Sequence, residues 1–311
     1  MLDIYEMQIF LAAAETSSFS EAGRRLQLSQ PAVSMQIRAL EKRLGVELFH
    51  RAGRHIRLTE AGQVLIPLAR DLVNRSIHIK EVMASLQGDV IGMLKLACST
   101  TCGKYVLPRL IARFMEHHPD VRVTIDVVPR ESALNLLLDG HSHLAITSLR
   151  EPSREVEYRP FIIDKVVLIV PPDHPWAMRE WISVDELPQG RFILREFGSG
   201  TQQAVSQALA EHDLSLNALN TVMILGNSEA ILVAVTERIG AAFVSRRVAA
   251  EAIACGKVVE VPIAGIDMQQ QLYLVRYAGR APSSAQAAFW EYVYLPENRA
   301  LLTQPAMLPV R

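Results

Sequence analysis

The chain has little cysteine, few aromatic residues and almost no net charge. Its three cysteines in 311 residues, Cys98, Cys102 and Cys255, are too few for a disulfide scaffold and fit a reducing compartment. No apolar run reaches the roughly 20 residues of a membrane span. Residues 1 to 20 carry Asp3, Glu6 and Glu15 in an amphipathic pattern and lack the basic start and apolar core of an export signal. A cytoplasmic protein with no membrane partner is expected. No G-x-S-x-G occurs, since Gly198-Ser199-Gly200 lacks the spacing, and an enzyme is not expected. His117 and His118 are adjacent and point differently on a helix; His141 and His143 have no Cys-x-x-Cys partner. The expectation is therefore no metal and no cofactor. Apolar residues are plentiful, at 50% of the chain, enough to core two or three domains.

The formal charge of −1 hides a local excess. Between residues 20 and 57, Arg24, Arg25, Arg38, Lys42, Arg43, Arg51, Arg54 and Arg57 stand against Glu21, Glu41 and Glu47, which is 8 − 3 = +5. A phosphate backbone responds to local charge of this kind. The same stretch reads as two short helices and a basic hairpin. Ser20 is expected to cap a helix of 21–26, and Gln27-Leu28 to turn. Ser29 is expected to cap a second helix with Pro31 in its first turn. Val33, Ile37, Leu40 and Leu44 recur at helical spacing and mark the buried face. Gln30, Ser34, Met35 and Arg38 then fall at the exposed N-terminal end and outer face, where a recognition helix meets base edges.

These residues closely resemble the LysR-type transcriptional regulators. The resemblance runs through Phe10 and Ala13, Ser18-Phe19-Ser20-Glu21-Ala22, Leu26, Ser29-Gln30-Pro31-Ala32-Val33-Ser34, Gln36-Ile37-Arg38, Leu40-Glu41 and Leu44-Gly45. It continues through Leu48-Phe49-His50-Arg51, Arg54 and Leu58-Thr59-Glu60-Ala61-Gly62. It implies a winged helix-turn-helix over 1–59 that binds double-stranded operator DNA. Gln30, Pro31, Ser34 and Met35 would stand at the major groove, Ser29 and Arg38 are further DNA-binding candidates, and Arg51 and Arg54 would lie in a wing near the backbone or minor groove. Met35, where many members carry a polar side chain, offers apolar contact to a thymine methyl.

Residues 60–90 read as one long helix and a hinge. Leu65, Leu68, Leu72, Ile79, Val82 and Leu86 step by three and four, interrupted by Arg75. Such a helix spans roughly 40 Å. Two readings are open: pairing with the same helix of a second subunit, or packing on its own domain. The family resemblance favours a homodimer, with a homotetramer through the sensor halves and RNA polymerase as a further partner. Pro67 predicts a mild bend, and Gly88-Asp89-Val90-Ile91-Gly92 a break.

Beyond Gly92 strands and helices alternate, which argues a doubly wound α/β fold. Expected strands include 93–97, 121–127, 144–147, 221–225, 241–245 and 272–277. The apolar run 166–170 reads as a buried parallel strand. Helices are expected over 104–118, 132–138, 201–212, 228–236 and 284–294, and a loosely ordered tail over 297–311. The family resemblance implies a two-lobed, periplasmic-binding-protein-like sensor over 91–296, with lobe one at 91–162 plus 266–296 and lobe two at 163–265.

Three hydroxyl- or amide-rich helix starts follow strand ends: Ser99-Thr100-Thr101, Ser199-Gly200-Thr201 and Asn227-Ser228. Free N–H groups and the positive dipole end make such starts anion sites, although Ser, Thr and Asn are also ordinary caps. Thr147 and Ser245 are further candidates. Ser99-Thr100-Thr101 with Tyr105-Val106-Leu107-Pro108, and Gly198-Ser199-Gly200-Thr201, look like segments of LysR-type regulators of carbon-fixation and sulfur-assimilation genes. That likeness implies a small-molecule anion effector between the lobes. Cys98 and Cys102 leave a thiol-based redox response open, since a helix start can depress a thiol pKa. A solute-binding transport component would share the cleft but lack the DNA reader.

Overall fold

Asp3 sets the first helix with a capping box: its carboxylate accepts from Tyr5 N–H at 3.0 Å, and Glu6 accepts from Asp3 N–H at 3.4 Å. The computed structural model describes residues 2–52, 55–85, 89–151 and 153–303. They form two compact units that meet in the chain between Val90 and Ile91. The first holds α1 (Ile4–Thr16), α2 (Phe19–Leu26), α3 (Gln30–Leu44), the hairpin β1 (Phe49–Ala52) and β2 (His55–Leu58), and α4 (Glu60–Ser85). Helix α2 starts earlier than expected. Its cap is Ser18, whose hydroxyl accepts from Glu21 N–H at 3.3 Å, and Ser20 lies inside the helix. The earlier start places Phe19 in the core, its ring 5.5 Å from that of Phe49. The turn to α3 needs Gln27 at φ +57° and Leu28 N–H bonded to Gly23 O at 2.8 Å. A Cβ on Gly23 would sit 2.7 Å from Leu28 O, so only glycine lets the turn close. Val33, Ile37 and Leu40 are buried against Met7, Phe10 and Phe49.

The second unit contains β3 (Gly92–Cys98), α5 (Thr100–Tyr105), α6 (Leu107–His117), β4 (Val121–Val127), α7 (Arg130–Leu138) and β5 (Leu144–Thr147). Then come β6 (Val156–Val170), β7 (Arg191–Arg195), α8 (Gly200–Ala210), β8 (Asn220–Leu225), α9 (Ser228–Thr236), β9 (Ala241–Ser245) and α10 (Arg246–Ala254). The chain closes with β10 (Val259–Val261), β11 (Met268–Tyr277), α11 (Ser284–Tyr292) and α12 (Arg299–Thr303). The expected helix 104–118 is two helices that break at Val106 (φ −120°, ψ −58°), because Pro108 has no N–H to continue the ladder.

The strands join as β4-β3-β5-β11-β6-β9-β7-β8, with β10 also on β6. Strands β3, β4 and β5 pair in parallel and form one lobe; β7, β8 and β9 pair in parallel and form the other. Strands β6 and β11 run antiparallel through both, with a bulge at Leu272/Tyr273. The run 166–170 is therefore the last third of a 15-residue crossover strand, antiparallel to β9, and not a separate parallel strand. Val166, Leu168 and Val170 pack with Trp176, Phe192 and Phe243, while Val167 and Ile169 pack with Ile193, Ile231 and Val244. A continuous apolar run reports two covered faces, not strand direction.

Residues 297–303 are not a loose tail. Asn298 is buried and donates to Tyr292 O at 2.7 Å, and Leu302 O accepts from Arg247 Nη2 at 2.7 Å. Of the expected hinge, Gly88 lies outside the described residues; Asp89 and Val90 have no regular structure, and Gly92 (φ +108°) begins β3.

Candidate functional site

Helix α3 carries the DNA-reading candidates on one exposed end. The Ser29 hydroxyl accepts from Ala32 N–H at 3.3 Å, and Pro31 occupies the first turn. Ser29, Gln30, Pro31, Met35 and Arg38 are exposed and Ser34 is half-buried. Met35, at 64% exposure, is an apolar residue held out toward solvent from an otherwise polar face. Glu41 accepts from Leu48 N–H at 2.9 Å and Phe49 N–H at 3.3 Å, which ties the start of the β1–β2 wing to the recognition helix. Arg43 pairs with buried Glu6 and Arg25 with Glu15, so part of the local positive charge is neutralised by acids outside the stretch. Arg54 lies outside the described residues, as does the side chain of Arg51.

Helix α4 packs on the core with only part of its apolar surface. Leu65, Ile66, Ala69, Leu72 and Val73 pack on the core beneath α1, so Leu65 and Leu72 do not belong to an open seam. Val64 and Leu68 beside that core, and Ile79 and Met83 farther along the helix, stand about 60% exposed. The spacing of three and four runs on past the core contacts, which is why the sequence read it as one continuous seam. The side chain of Val82 and all of Leu86 lie outside the described residues.

In the second unit a cavity of about 350 Å³ opens between the lobes. Ser99, Thr100 and Thr101 line it from the start of α5; Ser199, Gly200 and Thr201 from the start of α8; Asn227 from the cap of α9. Ser199 and Asn227 also cap their helices, accepting from Gln202 N–H at 3.1 Å and Glu229 N–H at 2.8 Å. Ser99 makes no such side-chain bond, so the start of α5 keeps its N–H groups uncapped. Thr147 and Ser228 are not among the lining residues. The Thr147 hydroxyl donates to Arg130 O at 3.4 Å and accepts from Leu149 N–H at 3.0 Å, and Ser228 is buried and accepts from Arg195 Nη1 at 2.5 Å. Ser245 is also buried, bonded to Asp164 at 2.7 Å.

The cavity also holds Arg130, Glu131, Ser148, Arg195, Glu196 and Gln270, none of which the sequence had singled out. Arg195 donates to both oxygens of Glu196 at 2.7 Å. Arg130 bonds Gln203 through Nη1, but its buried Nε has no hydrogen-bond partner. A buried cationic N–H without an acceptor favours an anion arriving beside it. The lobes are also clasped directly: Glu229 of α9 accepts from Tyr105 Oη at 2.8 Å and pairs with Lys104 Nζ at 2.5 Å, both on α5. Burial works against the Glu229 carboxylate, yet the bonds from Lys104 and Tyr105 outweigh it and hold its pKa below the usual value.

Both cysteines of the redox reading are buried. Burial, with Asp126 adding to it, pushes the Cys98 thiol up to about 12, and burial pushes Cys102 up as well. The thiolate is the reactive form, so this environment opposes thiol sensing. Among the described residues no three His, Cys, Asp or Glu side chains converge as a metal site. No described helix is long and apolar enough to cross a membrane.

Two family models match in series. Residues 4–63 match the bacterial regulatory helix-turn-helix protein of the lysR family, and residues 87–294 match the LysR substrate binding domain. The chain belongs to the LysR family. It is 34% identical over 292 residues to a RuBisCO operon transcriptional regulator of Allochromatium vinosum, covering 94% of this chain and 95% of that one. Full-length CbnR complexed with its target DNA shares the fold, with a TM-score of 0.70, 21% identity, and 94% and 99% of the two chains covered. The regulatory domain of Synechocystis CcmR in complex with 2-PG is similar at 28% identity and a TM-score of 0.58, covering 65% of this chain and 95% of that one. This LysR-type protein is thus a DNA-binding transcriptional regulator with a small-molecule effector domain, and not an enzyme.

Proposed function

We propose that this LysR-type regulator is switched by a small anion bound in the interlobe cavity. Thr100 and Thr101 would hold it from one lobe, Ser199, Gly200 and Thr201 from the other, with Arg130 supplying charge. The observation that carries this reading is a cavity lined by three helix starts and by Arg130, whose buried Nε has no partner. Charge-assisted bonds to such groups contribute roughly 1.5–3 kcal/mol each. The relative that regulates the RuBisCO operon and the CcmR complex with 2-PG support a carbon-assimilation role with a small carboxylate or phosphate effector.

The proposed division is a reader over 1–59, a linker helix and hinge over 60–90, and a sensor over 91–296. Gln30, Pro31, Ser34 and Met35 would read bases, while Arg38, Arg51 and Arg54 hold the duplex. Two chains would pair through the exposed face of α4 that carries Leu68 and Ile79, with a tetramer forming through the sensors and contact with RNA polymerase once DNA is bound. Thr100→Val keeps the side-chain shape and removes the hydroxyl. It should weaken effector binding roughly tenfold while leaving effector-free operator affinity unchanged. Calorimetry with 2-PG and a DNA titration without it separate the two effects. Undiminished 2-PG affinity in both Thr100→Val and Thr201→Val would return these hydroxyls to ordinary capping.

A further inference from the structure

Gln270 reaches the cavity from the crossover strand β11. Its Nε2 donates to Asp164 Oδ2 at 2.9 Å. Asp164 is fully buried on the other crossover strand, and its second oxygen, Oδ1, accepts from the Ser245 hydroxyl at 2.7 Å. That hydroxyl has its proton free to donate, because its oxygen already accepts from Arg247 N–H at 3.2 Å. The Arg247 guanidinium also faces Oδ1, at 3.8 Å. Donors therefore meet both carboxylate oxygens, and the amide end of Gln270 that faces Asp164 is its NH2. Its carbonyl oxygen is left facing the start of α8. A Cβ on Gly200 would sit 2.5 Å from Gln270 Oε1 and 2.5 Å from Ser148 Oγ, so glycine alone allows this approach.

We propose that Gln270 is a specificity-determining acceptor, and that the effector is an anion that also carries an O–H donor, namely a hydroxylated carboxylate or a protonated phosphate. This rests on the anion reading above. The α8 N–H groups attract negative oxygen, and Oε1 beside them repels it unless a proton lies between. An anion without a donor leaves that acceptor desolvated and unpaired. One with a hydroxyl next to its charge satisfies both.

The test uses the full-length protein and calorimetry with two matched pairs: glycolate against acetate, and hydrogenphosphate against sulfate. The hydroxylated or protonated member of at least one pair should bind roughly tenfold more tightly. Which pair responds distinguishes the carboxylate source from the phosphate source. Gln270→Leu should erase that preference, bringing the members within about twofold, because the acceptor is gone. Asp164→Asn offers an NH2 in place of an acceptor and lets the Gln270 amide turn over, so the preference should reverse. If that buried variant does not fold, Gln270→Leu decides alone. Equal binding within both pairs in the wild-type protein, or a preference that survives Gln270→Leu, overturns the inference and leaves the anion site standing. No binding of any of the four anions, with 2-PG equally silent, removes the anion site and this inference with it.

Discussion

Gln30 and His143 show how single side chains are placed by their neighbours. Gln30 is exposed at the first residue of α3, the position from which the proposed reading has it contact bases. Gln30→Ala should lower operator affinity by roughly 1–3 kcal/mol and leave scrambled-sequence binding nearly unchanged, as read by parallel titrations. Equal loss on both DNAs would remove it from the base-reading set. His143 accepts from Lys95 N–H through Nδ1 at 3.3 Å. Burial first, and Lys95 second, push its pKa from 6.5 down to about 4. The folded state therefore holds the neutral ring. Its contribution to stability is complete above pH 6.5 and fades as pH falls toward 4, a loss of up to about 3 kcal/mol. His143→Asn keeps a side-chain acceptor without a titrating ring. Denaturant unfolding of this variant should show a flatter loss of stability across that window.

Helix α4 divides its apolar residues between core-packed and exposed ones, and the two groups answer to different measurements. Leu72 packs on its own domain and Leu68 is exposed. Leu72→Asp should destabilise the reader itself by roughly 2–4 kcal/mol, through an unpaired charge at the edge of its core. Leu68→Asp should leave that stability unchanged and shift sedimentation toward monomer. An unchanged oligomer in Leu68→Asp would mean that α4 does not pair chains. The heptad-like spacing was legible, but its partner was not, because one stripe holds Leu65 and Leu72, which pack on the core, and Ile79, which is exposed. The helix starts at Thr100, Ser199 and Asn227 were legible, because small polar residues after apolar strands are the chemistry of a cap. Arg130, Ser148 and Gln270 were not. Arg130 and Ser148 follow a loop and a strand end with no motif, and Gln270 stands in the middle of Gln269-Gln270-Gln271, where nothing marks which amide turns inward. The direction of β6 was also hidden, since burial on both faces erases the alternation that would have exposed its length.

Across the sensor domain the lobes are joined by two continuous strands and held by the Tyr105–Glu229–Lys104 clasp. With the effector held in the interlobe cavity as proposed, its affinity depends on how often the lobes are closed. Glu229→Ala should weaken 2-PG binding several-fold, up to roughly tenfold, and enlarge the radius of gyration of the unliganded protein in solution scattering. Unaltered dimensions together with unaltered affinity would mean that the cavity is held by the crossover strands alone. Those strands carry a consequence for synthesis. Residues 163–265 emerge as one uninterrupted stretch, whereas β3, β4 and β5 must wait for β11 and α11 to complete their lobe. On the ribosome, the DNA reader is made first and the interlobe cavity is complete only once β11 has emerged, because Gln270 and Leu272 of that strand line it. Each new regulator thus has a complete recognition helix before it has any means of sensing its signal.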